Sequence, residues 1–184
     1  KIKKVRRYPV KGMQGEEISE VFTGFGGVMG DRVYGVINNK PGDKGFTWLT
    51  ARDEEDFLLY RPQFKSDNNR VPTDLDAFEG IAPGIHPLYP GPEQFAVEVA
   101  SPEGEVFCIE SPEFTEHLNN RFEMDLRVHL SAQKSQVDCR PVSLISQETC
   151  DQLSSELDMD INYRRFRPNF LASWANGEGF LENT

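Results

Sequence analysis

Apolar residues in this chain never form a long stretch. Val, Ile, Phe and Tyr gather in short runs at 5–10, 18–22, 32–37 and 46–49, and glycines and Asn38-Asn39-Lys40-Pro41-Gly42 punctuate them. Such punctuation favours strands joined by tight turns over long helices. A membrane-spanning helix needs ~20 consecutive apolar residues, and no window comes near that. The expected fold is therefore mainly β with a few short helices, barrel-like and of the α+β class.

The rest of the chain fills in that outline. Asn38-Asn39-Lys40-Pro41-Gly42 reads as a hairpin turn. Gly24, Gly26, Gly27 and Gly30 lack the spacing of a dinucleotide fingerprint and precede a strand, so they too read as a turn. Asp53 to Tyr60 reads as a short helix with Asp53 at or near its N-cap. Between 66 and 94, five prolines lie among Asp, Asn and Gly, which predicts a long surface loop. Phe95–Val99 and Val106–Ile109 alternate in polarity around Ser101-Pro102-Glu103-Gly104, the pattern of a hairpin. Ser111-Pro112 then supplies a cap and a first-turn proline, and Phe114, Leu118 and Phe122 fall on one helical face. Strands are expected at 126–130, 142–145 and 169–174. A second helix should begin at about Ser146, with Cys150, Leu153 and Leu157 along it.

Charge narrows the partners. The formal net charge is -10 and the pI about 4.8, whereas nucleic acid and anionic membranes demand a net positive footprint. Neither is an expected partner. Yet residues 1–11 and 164–167 together hold nine of the 20 cations and no carboxylate. That concentration points to a local anion site. Three scattered cysteines make no disulfide framework and fit reduced thiols in a cytoplasmic setting. His86, His117 and His129 lack the spacing of a zinc site. Cys139 beside Arg140 reads as an inert thiol.

Several segments are candidates for that anion site. Lys11 follows a strand and precedes Gly12, which would let a ligand approach the backbone; a plain surface lysine is the alternative. Arg32 stands at the start of a strand beside Asp31, its other possible partner. Ser146, with Thr149, marks a helix N-terminus, where unpaired N–H groups favour a phosphate, though simple N-capping uses the same atoms. Arg165 and Arg167, two apart on backbone expected to be extended before Pro168, would point the same way as a fork for anionic oxygens. A solvated basic strand is the bland reading of the same pair. Asn169 adds a donor and an acceptor suited to a heterocycle edge.

Taken in order, five short motifs resemble the MOSC family, whose domains are related to the C-terminal part of molybdenum cofactor sulfurase. Tyr8-Pro9-Val10-Lys11-Gly12, Gly30-Asp31-Arg32 and Leu49-Thr50-Ala51-Arg52 are similar to its N-terminal β-barrel domain. Pro141 to Ser146 and Arg165 to Asn169, followed by Phe180-Leu181-Glu182, are similar to the start of the MOSC domain proper. The resemblance implies a barrel domain over 1–130 and the beginning of a second over 131–184. It implies the molybdenum cofactor (molybdopterin), with Lys11, Arg32, Ser146, Arg165, Arg167 and Asn169 as its contacts. It further implies an oxidoreductase reducing N-hydroxylated substrates, supplied with electrons by a ferredoxin-like or cytochrome b5-like partner. Sulfur transfer to the cofactor, or a non-catalytic cofactor-binding module, are the alternatives.

One departure accompanies the match. In that family a cysteine that ligates molybdenum or carries sulfur lies beyond the segment matching Phe180–Glu182. Cys108, Cys139 and Cys150 do not match its position, so none inherits the role. The chain is accordingly expected to be a fragment, to have its closing strands past Thr184, or to have lost the chemistry. An incomplete second sheet is expected to leave an open edge or to pair with another chain.

Overall fold

A computed structural model describes residues 1–24, 27–40, 47–66, 95–131 and 140–183. Among these, eleven strands and two α-helices make the chain mainly β, with helices in the minority. The strands divide among four sheets, and no closed barrel forms among the described residues. No described helix is long and apolar enough to cross a membrane.

The largest sheet joins distant parts of the sequence. Its order is β10 (Leu144–Ser146), β11 (Phe170–Ala172), β1 (Ile2–Arg7) and β2 (Glu16–Ile18). β1 is antiparallel to both neighbours, with Val5 opposite Phe170 on one side and Ile18 on the other. β10 and β11 are parallel. β1 stops at Arg7, earlier than the apolar run 5–10 predicts, because Pro9 has no N–H to donate. Val10 keeps only an isolated bridge to Tyr34. Cross-strand charge fixes the register of β1 on β2: Arg7 Nε donates to Glu16 Oε1 at 2.7 Å, and Lys4 pairs with Glu17.

The other sheets are small. β3 (Thr23–Gly24) and β4 (Gly27–Val28) pair antiparallel where the glycines predict a turn; Gly26 lies outside the described residues. β5 (Tyr34–Asn38) pairs antiparallel with β9 (Leu126–Leu130), Tyr34 facing Leu130 and Asn38 facing Leu126. β6 (Arg61–Phe64), β7 (Val97–Ala100) and β8 (Val106–Cys108) make an antiparallel meander. Among the described residues of the run 46–49, Trp48 pairs with Ile37 through an isolated bridge. The hairpin turn around Pro41-Gly42 and nearly all of the loop expected at 66–94 lie outside the described residues, as does His86.

The first helix, α1 (Pro112–Phe122), follows its sequence signals closely. Ser111 Oγ accepts from the Phe114 N–H at 3.2 Å, and Phe114, Leu118 and Phe122 are buried. The second, α2 (Gln147–Leu157), is capped by Ser146, whose Oγ accepts from the Thr149 N–H at 3.1 Å. The helix expected at 53–60 is instead a 3-10 turn, Glu55–Leu59. Asp53 does not cap it. Its carboxylate accepts from Thr50, three residues back, which closes a separate turn.

Two apolar cores result. The larger packs α1 against the meander and the β5–β9 pair, with Phe57, Tyr60, Phe95 and Phe114 wholly buried. Phe57 meets Phe122, and Tyr60 meets Phe114, edge to face at 6.2 Å. Each such ring contributes about 1.5–3 kcal/mol through burial. The smaller core holds Ile145, Cys150 and Leu171, with Tyr163 against it.

Candidate functional site

The segment after β1 begins the site. Lys11 is buried, and its N–H donates to the Tyr34 carbonyl at 2.8 Å, which places the lysine beside the start of β5. Gly12 follows with φ of 87°, and a Cβ there would lie 2.7 Å from the Phe57 ring. Only glycine fits this close approach.

Arg32 comes from the turn into β5, with its own backbone in the left-handed region. Its guanidinium is ion-paired to Asp31, which is buried and also accepts the Tyr8 N–H at 2.8 Å. Arg32 Nη2 donates to the Arg167 carbonyl at 3.2 Å, which joins the two basic segments across 135 positions of sequence.

Arg167 sits differently from the sequence expectation. Asn162 accepts from the Arg164 N–H at 3.0 Å and closes a 3-10 turn over Tyr163–Phe166. Arg167 then turns into the left-handed region instead of extending, so Arg165 and Arg167 form no fork. Arg165 is exposed on the turn. Arg167 packs inward: Nη1 donates to the Met13 carbonyl at 2.5 Å, while Nη2 is buried with no partner. Burial, with repulsion from Arg32, lowers its pKa to about 10, so it stays charged at neutral pH.

Tyr8 holds these cations together. Its ring lies 4.6 Å from the Arg32 guanidinium and 4.4 Å from that of Arg167. Both distances suit cation–π attraction. The phenol donates to the Pro168 carbonyl at 3.1 Å, and burial pushes its pKa up against the pull of the neighbouring arginines.

Lys11, Arg32 and Arg167 share one cleft of about 280 Å³. Arg52 and Thr50 complete its polar wall, and Leu58 and Phe166 give it an apolar side. Among the described residues no carboxylate lines it. Arg52 entered the sequence reading only as the last letter of a motif. The signal that marks it is the Thr50-x-Arg52-Asp53 turn, which presents that arginine at the cleft.

The other expected contacts are used elsewhere. Asn169 is buried and stitches strands: its Oδ1 accepts from the Ser143 N–H at 3.1 Å, and its Nδ2 donates to the Arg6 carbonyl at 3.3 Å. Ser146 does stand at an anion site, but the anion is internal. Glu182 Oε1 accepts from the Ser146 N–H at 3.0 Å and the Thr149 hydroxyl at 2.7 Å. Its Oε2 accepts from the Ser146 hydroxyl at 3.1 Å and the Trp174 indole at 3.3 Å. The positive end of α2 is thus matched by a side chain of the same protein. The N-terminal cations also divide. Lys4 and Arg7 serve β2, and Arg6 donates to the Gly15 carbonyl at 2.5 Å; among the described residues of that segment only Lys11 lines the cleft.

The two described thiols lie apart from the cleft. Cys108 is exposed on β8, and Cys150 is buried on α2 with its pKa raised by burial; Cys139 is outside the described residues. Among the described residues, no group of three or more His, Cys, Asp or Glu side chains is placed to hold a metal.

Fold and cleft together define a mainly-β protein with a cationic cleft built from both ends of the sequence. No protein-family model matches the chain, and no curated protein sequence matches it significantly.

Proposed function

We propose that the cleft binds an organic anion carrying phosphate, namely the molybdenum cofactor, within an oxidoreductase that reduces N-hydroxylated substrates in the cytoplasm. The observation that carries this reading is the convergence of Lys11, Arg32 and Arg167 on one concave surface that no carboxylate lines among the described residues. The buried, unpartnered Nη2 of Arg167 fits an anionic guest, because a buried donor left unpaired costs about 1–3 kcal/mol. These three residues would hold the anionic part of the cofactor. When bound, the cofactor supplies redox chemistry at molybdenum, with electrons from a ferredoxin-like or cytochrome b5-like protein. The protein's own share is to neutralise charge and fix orientation. Tyr8 keeps two guanidinium groups together that would otherwise repel.

A non-catalytic cofactor-binding module is the second reading, favoured by the placement of Cys108 and Cys150 away from the cleft. The test of binding is molybdenum analysis and pterin fluorescence on protein purified from a cofactor-producing host. Arg167→Ala and Lys11→Ala should each lower cofactor content about tenfold or more, since a charge-assisted contact contributes about 1.5–3 kcal/mol. Unchanged content in both variants refutes the assignment. Turnover of an N-hydroxylated base with a reductase partner then separates reduction from sulfur transfer and from simple carriage.

A further inference from the structure

We infer that Arg52 reads the ligand at the mouth of the cleft and that Asp53 is its positioning residue; this rests on the reading of the cleft as an anion site. The four cations of the wall are not equivalent. Arg32 is neutralised by Asp31, Arg167 is tied to the Met13 carbonyl and pressed against Tyr8, and Lys11 is buried. Arg52 is exposed, and among the described residues its side chain has no ion pair, which leaves a long arm to close on a guest.

Its base, by contrast, is fixed. Asp53 Oδ2 accepts from both the N–H and the hydroxyl of Thr50, each at 3.0 Å. The Thr50 hydroxyl oxygen accepts the Arg52 N–H at 3.3 Å, and the Thr50 carbonyl accepts the N–H groups of Asp53 and Glu54 at 3.0 Å. Buried Leu49 anchors the turn on one side, with its N–H on the Val36 carbonyl at 2.8 Å, and buried Phe57 anchors it on the other. The Asp53 carboxylate therefore shapes the backbone and does not neutralise its neighbour. An exposed cation on a well-bonded turn suits recognition of charge at the rim of a site.

The same arrangement specifies the class of ligand. With Arg32 balanced by Asp31, Arg52 and Arg167 still leave an excess of positive charge that suits a phosphate of two negative charges. Phe166 and Leu58, both partly exposed, lie in the same wall and suit an apolar or planar group attached to that phosphate. The site is built for a phosphate ester carrying a heterocycle, and inorganic phosphate meets only half of it.

Calorimetric titration of the full chain with inorganic phosphate and with adenosine monophosphate tests this. Wild type should bind the nucleotide more tightly than phosphate. Arg52→Ala should weaken nucleotide binding about tenfold, and Arg52→Lys should recover part of the loss. Asp53→Ala should match Arg52→Ala, and the double variant should be no weaker than either, because both changes remove one interaction. A purely structural Asp53 would give additive losses instead and overturn its positioning role. If Arg167→Ala weakens binding and Arg52→Ala does not, the role of Arg52 is refuted while the cleft stands. If Arg167→Ala also leaves binding unchanged, or wild type binds neither probe at millimolar concentration, the anion-site reading falls with it.

Discussion

Replacing Glu182 by Gln is the perturbation whose effect the structure defines most closely. Burial alone would raise the pKa of this carboxyl, but hydrogen bonds from Thr149, from backbone N–H groups including that of Ser146, and from Trp174 outweigh it and hold the pKa at about 2. Against an ordinary value of about 4.3, and at ~1.4 kcal/mol per pH unit, the ionised form would gain roughly 3 kcal/mol as an upper bound. The side chain is only partly buried, and solvent screening reduces this to about 1–2 kcal/mol. The amide keeps one acceptor but turns a donor toward groups that are themselves donors. For a chain of this size the loss corresponds to a fall in Tm of roughly 2–8 °C at pH 7. The folded pKa is depressed, so the stabilisation is complete above the unfolded value and disappears as pH falls through about 2. Thermal unfolding of both proteins at pH 7, 5, 3 and 2 therefore gives a gap that is constant from pH 7 to 5 and then closes. Equal Tm values at pH 7, or a gap that persists undiminished at pH 2, would refute the argument.

Two further substitutions test the walls of the cleft. Gly12→Ala forces a side chain into the left-handed region and against the buried Phe57 ring, and should cost about 2 kcal/mol or more. Urea denaturation reads this as a lowered midpoint, and an unchanged midpoint contradicts the close approach. Tyr8→Leu removes the ring between Arg32 and Arg167 and should cost about 1 kcal/mol per cation–π contact, together with weaker anion binding. Tyr8→Phe keeps the ring and should retain binding; a Phe variant as impaired as the Leu variant would place the effect in the hydroxyl bond to Pro168 instead.

Local signals were legible where one segment contained the whole cause. The Ser111-Pro112 cap and the i, i+4, i+8 spacing of Phe114, Leu118 and Phe122 mark α1, and 126–130 is the strand that its residues suggest. Legibility failed where a partner decides. Lys4 does not look like a strand residue, yet its pairing with Leu171 of β11 makes it one. Arg167 was expected to be extended because of Pro168, but the Asn162 cap turned the preceding residues into a 3-10 turn. Ser146 marks the start of a helix, as its sequence suggests, whereas the Glu182 carboxylate that meets this N-terminus, 36 positions away, has no local trace. Arg52 shows the same limit: its turn is local, but its place beside Lys11 and Arg167 comes from tertiary folding.

The antiparallel pairing of β1 with β11 sets an order of events. Residues 2–7 are synthesised before residues 170–172 and must wait for them before the centre of the sheet can form. Contacts so distant in sequence form slowly and late. Lys11 and Arg32 lie on the early side of that junction and Arg167 on the late side. Ligand binding should therefore begin only when the sheet closes, and a bound anion would act as a clamp that slows its reopening.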